Sequence, residues 1–321
     1  MTTRRTLLTM MLVAPAAQAQ PAAWPSRPVR IVVPFPPGGS TDVLARRLAE
    51  RLGPALGQTF IVENRPGAGG TTGADLVAKS PPDGHTLLLG VTGSNAIAAS
   101  LYPNLPYDTV RSFAPVSRLV SAPLVLVVNA ALPARDVAGY VAAARAVRGG
   151  LTYATPGNGT SMHLTGVMFA GAAGVELTHV PYRGSAGAIT DLVAGQVQSA
   201  FADLLVVLPQ VTSGAVRALA VTSRTRHPLL PEVPTMEEAG LRGFEAASWQ
   251  GLFAPAGTPP EVLARLHAEV ARAMASEDIR DGFARQGFIV EATGPADFAA
   301  FVAAETAKWA EVVRAGRVSL D

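Results

Sequence analysis

Short apolar runs alternate with helical patterns along almost the whole chain, and this alternation restricts the fold more than any other feature. Val29–Val33, Thr59–Val62, Thr86–Gly90, Pro123–Val128, Leu151–Thr155, Gln198–Ala202 and Val216–Val221 have the length and the apolar or β-branched content of buried strands. Between them Leu44, Leu48 and Leu52 recur at spacings of four. Gly73–Lys79, Arg135–Val147 and Ala186–Ala194 also read as helices, the last stopped by Gly195. Strands that alternate with helices predict an α/β protein with parallel sheets and crossover helices. Near the C-terminus Thr258-Pro259-Pro260-Glu261 has the form of a capping box, followed by a stripe of Val262, Leu263, Leu266, Val270 and Met274. A final helix from about Pro295 to Val313 presents Phe298, Phe301, Val302, Trp309, Val312 and Val313 as core contacts.

The first 20 residues have the form of a secretory signal. Arg4 and Arg5 precede an apolar stretch from Leu7 to Ala14, and Ala17-Gln18-Ala19 places small residues at a cleavage site after Ala19, so the mature chain is expected to begin at Gln20. Thr3-Arg4-Arg5-Thr6-Leu7-Leu8 also resembles a twin-arginine signal, and both export routes lead out of the cytoplasm. The sequence contains no cysteine, which excludes a disulfide framework, a cysteine nucleophile and a lipid-accepting cysteine after the signal. Beyond the signal no apolar run approaches the ~20 residues of a membrane span, and Leu119–Val128 is interrupted by Pro123. Without Arg4 and Arg5 the basic residues number 24, equal to the 24 acidic ones. The arginines are scattered and Lys79 and Lys308 are the only lysines, so the clustered positive face that nucleic acid requires is missing.

About 300 mature residues suit two α/β domains. Nothing in the middle resembles a flexible linker, and two crossings near Ser121 and Thr222 are the simplest arrangement. Residues 27–121 and 223–321 are then expected to form a discontinuous first domain, and 122–222 an inserted second one.

Two strand–loop–helix units share the same chemistry. Val29–Val33 runs into Pro34-Phe35-Pro36-Pro37-Gly38-Gly39-Ser40-Thr41-Asp42, and Leu151–Thr155 runs into Pro156-Gly157-Asn158-Gly159-Thr160-Ser161 ahead of a helix from Met162 to Phe169. Helix N-termini leave unpaired N–H groups and a partial positive charge, and glycines let a ligand approach the backbone, so the pair predicts two facing cradles for a carboxylate or phosphate. In the first loop Gly38 and Gly39 offer amides, Ser40 and Thr41 hydroxyls, Phe35 a cover and Asp42 a helix cap. In the second, Pro156, Gly157, Asn158 and Gly159 shape the turn while Thr160 and Ser161 donate. His163 falls in the first helical turn, either as a contact or as a packed histidine.

Further candidates follow other strands. Thr92, Ser94 and Asn95 lie just past Leu87–Gly90, where open sheets collect ligands. Arg183, in Tyr182-Arg183-Gly184-Ser185, either pairs with a carboxylate or sits on the surface. Asp203 either meets an amino or hydroxyl group or, as its position before Leu204-Leu205 favours, caps the next helix. Gly67-Ala68-Gly69-Gly70-Thr71-Thr72-Gly73 has a spacing that a dinucleotide loop can use, but it reads better as a close-packed turn or a wall of the first site.

No G-x-S-x-G, H-E-x-x-H or G-x-x-x-x-G-K-[ST] motif and no dense His/Asp/Glu metal spacing occurs, so no catalytic, metal or cofactor site is assigned. Ser161 and His163, two apart, project from different sides of a helix and make a poor nucleophile–base pair. The rivals to a binding protein are an exported hydrolase-like α/β enzyme, a nucleotide-dependent protein using Gly67–Gly73, and a periplasmic sensor subunit for the same acids.

Several longer segments carry a resemblance. They are Pro34–Asp42, Glu63-Asn64-Arg65-Pro66-Gly67-Ala68-Gly69-Gly70, Pro82-Asp83-Gly84-His85-Thr86-Leu87-Leu88, Tyr182-Arg183-Gly184, Pro234-Thr235-Met236-Glu237-Glu238-Ala239-Gly240 and Trp249-Gln250-Gly251-Leu252-Phe253-Ala254-Pro255-Ala256-Gly257-Thr258-Pro259. Over essentially its whole mature length the chain resembles the substrate-binding proteins of tripartite tricarboxylate transporters, the Bug or TctC-like family. The resemblance implies a periplasmic, type II binding-protein fold, a monomer whose two domains close on a small carboxylated ligand and pass it to large and small inner-membrane transporter subunits. It also implies that Phe35 to Asp42 meet the near carboxylate, flanked by Thr92, Ser94 and Asn95, while Pro156 to His163, Arg183 and Asp203 contribute from the second domain. Di- and tricarboxylates, acidic amino acids and aromatic acids all stay open as ligands.

Overall fold

The computed structural model describes residues 24–320, so the signal segment lies outside the described residues. The chain begins with β1 (Val29–Val33), α1 (Ser40–Leu56), β2 (Phe60–Asn64), α2 (Thr71–Ala78), β3 (Thr86–Val91) and the short α3 (Ala98–Leu101). A 17-residue strand, β4 (Phe113–Asn129), leads to α4 (Val137–Ala146), β5 (Leu151–Thr155), α5 (Ser161–Ala173), β6 (Leu177–Pro181), α6 (Ser185–Val193), β7 (Ser199–Asp203), α7 (Leu204–Thr212) and β8 (Val216–Val221). The chain then returns through β9 (Ala247–Pro255), α8 (Pro260–Ala275), α9 (Glu277–Ala284), β10 (Ile289–Val290) and α10 (Pro295–Gly316). Among the described residues no helix is long and apolar enough to cross a membrane.

The α/β expectation holds, and the strands follow the order β2-β1-β3-β9-β4-β7-β5-β6, with β8 and β10 also pairing with β4. The sheet is mixed rather than wholly parallel. The local βα units pair in parallel, β1 with β2 and β3, and β5 with β6 and β7. The late strand β9 instead inserts antiparallel between β3 and β4, a non-local pairing that no local pattern announces.

The long strand β4 divides the sheet into two halves. Phe113–Pro123 pairs with β9, whereas Leu124–Val128 pairs with β7 and also borders β8. The second crossing is tied to the first at Thr222, whose hydroxyl accepts from Leu124 N at 2.8 Å and donates to Ala246 O at 2.6 Å. Its amide donates to Leu124 O at 2.9 Å.

Period-two and period-four patterns meet in the core. Val29, Ile31 and Val33 of β1 pack with Leu44, Leu48 and Leu52 of α1 and with Leu266 and Val270 of α8, while Val32 points to the opposite face. Burying such side chains stabilises by roughly 1.5–3 kcal/mol each before conformational entropy is subtracted. In the other half, Val125 and Val127 pack with Ile189, Leu192 and Val207.

The capping box does not form. Pro259 precedes Pro260 and is held extended (φ −53°, ψ 137°), so α8 starts one residue later than that box requires. The Thr258 hydroxyl turns back to donate to Pro255 O at 2.8 Å.

Candidate functional site

Each half of the sheet ends its first parallel strand in a Gly/Pro loop and starts a helix there, and the two loops face one another. Between them lies a cavity lined from both halves. The first half lines it with Phe35, Pro36, Pro37, Gly39, Ser40 and Thr41 ahead of and within the first turn of α1, together with Val91, Gly93 and Ser248. The second half supplies Pro156, Thr160, Ser161 and Met162 at the start of α5, Arg183, and Asp203 at the end of β7.

A third helix start joins them, one that the sequence patterns did not single out. Gly184, Ser185, Ala186 and Gly187, the residue before α6 and its first turn, also line the cavity. Their side chains are small, so the unpaired amides of that turn are accessible. Three helix N-termini therefore converge on one space, and their partial positive charges favour an anion there.

Asp42 shapes the first loop from behind. Its carboxylate accepts from Gly38 N at 3.0 Å, from Asn64 Nδ2 at 2.9 Å and from Arg46 Nε and Nη2 at 2.9 Å each. Burial alone would raise its pKa, but the hydrogen bonds from Arg46, Gly38 and Asn64 prevail and hold it below the ordinary value. Gly38 adopts φ +87°, which a side chain would strain. Neither residue lines the cavity, and the N-cap position of α1 belongs to Gly39 rather than to Asp42.

The second loop is also internally bonded. The Thr160 hydroxyl caps α5 by accepting from His163 N at 3.3 Å and donates to Gly157 O at 2.8 Å. His163 Nδ1 accepts from Gly159 N at 3.2 Å. Gly157, Asn158, Gly159 and His163 thus build the loop without lining the cavity. The His163 ring stacks on His179 with centroids 4.0 Å apart, and His179 Nε2 lies 2.6 Å from the Thr155 hydroxyl.

Thr92, Ser94 and Asn95 are fully buried and face inward. The segment Gly93–Ile97 is one π-helical turn, and within it the Ser94 hydroxyl lies 3.4 Å from both N and O of Val91 at the strand end. The Thr92 hydroxyl accepts from Trp249 N at 2.9 Å, and the Ser94 hydroxyl donates to Asn95 Oδ1 at 2.6 Å. Their neighbours Val91 and Gly93 reach the cavity instead. Gly67–Gly73 is a close-packed turn: a Cβ on Gly73 would lie 3.0 Å from Arg65 O and 3.1 Å from Pro34 Cα.

Asp203 departs from the helix-capping expectation. It occupies the N-cap position of α7 but makes no side-chain cap bond, and its Oδ2 accepts from Ser40 Oγ of the other half at 2.8 Å. Gln250 Nε2 donates to that Ser40 oxygen at 3.1 Å, which directs the hydroxyl proton to Asp203. Burial pushes the Asp203 pKa up to about 6, with the Ser40 hydrogen bond only partly opposing it.

The buried titratable groups predict opposing pH effects on stability. Burial lowers the pKa of His163, and burial plus the repulsion of His163 lowers that of His179, so below pH ~6.5 the unfolded chain binds more protons there and stability falls as pH falls. Asp203 is raised, so its folded form binds more protons between about 3.9 and 6 and stability rises as pH falls through that range. Asp203→Asn removes the opposing contribution. Urea midpoints are therefore expected to drop more between pH 7 and pH 5 in Asp203→Asn than in the parent protein; an equal drop would contradict this assignment.

Comparison with known proteins identifies the family. Residues 44–317 match the family described as the tripartite tricarboxylate transporter family receptor. The chain is 44% identical over 292 residues to the UPF0065 protein in the tcbD-tcbE intergenic region of Pseudomonas sp. (strain P51), covering 91% of this chain and 87% of that protein. It is 39% identical over 300 residues to protein BugT of Bordetella pertussis, covering 93% and 92%. Among solved structures, an R. palustris protein with adipate superposes with a TM-score of 0.89 at 38% identity, covering 92% of this chain and 99% of that one. MatC from Rhodopseudomonas palustris with bound malate superposes with a TM-score of 0.86 at 36% identity, covering 90% and 100%. The α/β fold is that of the periplasmic binding proteins, and the chain belongs to the tripartite tricarboxylate transporter receptor family.

Proposed function

We propose that this chain is an exported, non-catalytic solute-binding protein that captures a small carboxylic acid between its two halves and hands it to the membrane subunits of a tripartite tricarboxylate-type transporter. The observation that carries the proposal is the convergence of three helix N-termini on one cavity lined from both halves. Unpaired amides and hydroxyls there match the acceptor oxygens of a carboxylate, and a charge-assisted hydrogen bond contributes roughly 1.5–3 kcal/mol. Adipate and malate in two related structures support the same ligand class. We assign residues 27–121 with 223–321 to one domain and 122–222 to the other, with β4 and the segment beyond Thr222 as the crossings.

The contact residues we assign are Phe35, Gly39, Ser40, Thr41, Pro156, Thr160, Ser161, Arg183 and Asp203, joined by the first turn of α6. Gly38, Asp42, Gly157, Asn158, Gly159 and His163 hold the loops in shape, and Thr92, Ser94 and Asn95 hold the wall behind them. A hydrolytic role finds little support, because His163 Nδ1 is committed to Gly159 N and the ring is stacked on His179 rather than aimed at Ser161.

Thermal-shift screening of carboxylic acids on the mature protein tests this function. A ligand at 1,000 times its dissociation constant stabilises by about 4.1 kcal/mol. Ser40→Ala and Ser161→Ala should each reduce the shift. If no carboxylate raises the melting temperature while another anion class does, the carboxylate assignment fails.

A further inference from the structure

Asp203 is the anomaly in a cavity otherwise built for anions. It is 2% exposed and lines the same space as the three helix starts. Its Oδ2 is used by Ser40, but Oδ1 is buried without a hydrogen-bond partner. Among the described residues no cation offsets its charge: burial and the Ser40 hydrogen bond are what act on it. Arg183 lines the cavity too, but it is exposed and forms no ion pair with Asp203. A buried carboxylate oxygen left unpaired is costly, so its presence here calls for a partner that arrives from outside.

We infer that the preferred ligand is a carboxylic acid that also bears a cationic nitrogen, with its carboxylate at the helix starts and its ammonium group on Asp203 Oδ1. This rests on the carboxylate-binding function proposed above and narrows it to amino acids and other zwitterions. The fixed proton order supports it. Gln250 donates to Ser40 and Ser40 donates to Asp203 Oδ2, so the cluster fills one carboxylate oxygen with a proton and leaves Oδ1 of this cavity-lining residue as an acceptor. A ligand hydroxyl would fill the hydrogen bond at Oδ1 but leave the buried charge unbalanced. A second ligand carboxylate would set two like charges together. An ammonium group satisfies both the hydrogen bond and the charge.

The inference is testable by titration calorimetry on the mature protein with acids matched except for the amine: glutarate against glutamate, succinate against aspartate, and 4-methylbenzoate against 4-(aminomethyl)benzoate. In at least one pair the aminated member is expected to bind about ten- to a hundredfold more tightly, the usual worth of a charged hydrogen bond. Asp203→Asn should erase that preference, because its amide still accepts from Ser40 but carries no charge. If the unaminated acids bind as well as their aminated partners, the inference is overturned while the carboxylate function stands. A preference that survives Asp203→Asn overturns the role of Asp203. If no acid of either series binds, the carboxylate function falls and the inference falls with it. The comparison of matched acids on the unaltered protein needs no variant, so a misfolded Asp203→Asn would not block the test.

Discussion

Gly93→Ala is expected to weaken binding of the best carboxylate by about five- to 150-fold while leaving the melting temperature of the ligand-free protein within a few degrees. Gly93 sits where the loops of the two halves touch, and a Cβ there would lie 2.9 Å from Gly159 O and 3.1 Å from Gly69 O. Both are backbone oxygens that cannot rotate aside. Overpacking of this kind costs about 1–3 kcal/mol, and 1.4 kcal/mol is a factor of ten in affinity. The contact with Gly159 O crosses between the halves, so that part of the penalty falls on the arrangement in which the two loops meet, and Gly93 needs no left-handed conformation that alanine would strain. Gly69 forms a second such contact, an added Cβ there meeting Asn158 O, but its φ of +64° would mix backbone strain into the result. Calorimetry and melting curves on Gly93→Ala separate the two effects. Unchanged affinity would mean that the bound state does not need this contact.

Trp249→Ala should produce the largest loss of stability, about 3–5 kcal/mol in urea unfolding, from the cavity left by a fully buried indole. The indole packs edge-on against Phe298 and Phe301 of α10, at centroid distances of 5.7 and 5.6 Å. Its Nε1 donates to Glu305 Oε2 at 3.1 Å, an oxygen that also accepts from Trp309 Nε1 at 2.8 Å. Trp249→Phe retains most of the apolar volume and leaves Glu305 with Trp309 and Lys308, so it should cost markedly less. Equal losses in the two variants would show that the hydrogen bond rather than the packing sets the stability of this region. The backbone of Trp249 also donates to Thr92, so a change felt at the cavity wall would accompany the unfolding effect.

Local chemistry was legible from the chain, and long-range partnership was not. The loops at Pro34–Asp42 and Pro156–Ser161 could be read because strand, glycine and helix start are adjacent in sequence, and the structure sets them across one cavity. At Ser185 the small residues and bare amides of a helix start reach the cavity beside Arg183, and no residue type there distinguishes such a start from an ordinary one. β9 carries no alternating pattern since all but its first residue are buried, including Gln250 and Gly251, so neither period marks it as a strand. Asp203 was read as a cap for the same reason: its partner Ser40 lies 163 positions away. Thr92, Ser94 and Asn95 are buried on partners that no residue type signals, the backbone of the distant Trp249 for Thr92 and a π-helical turn for the segment that carries Ser94 and Asn95.

The knot of bonds at Thr222 also has a mechanical meaning. One hydroxyl fastens Leu124 on the outgoing strand to Ala246 on the returning segment, so neither crossing can pivot without dragging the other. A change of angle between the halves that separates these two segments has to break both bonds at once.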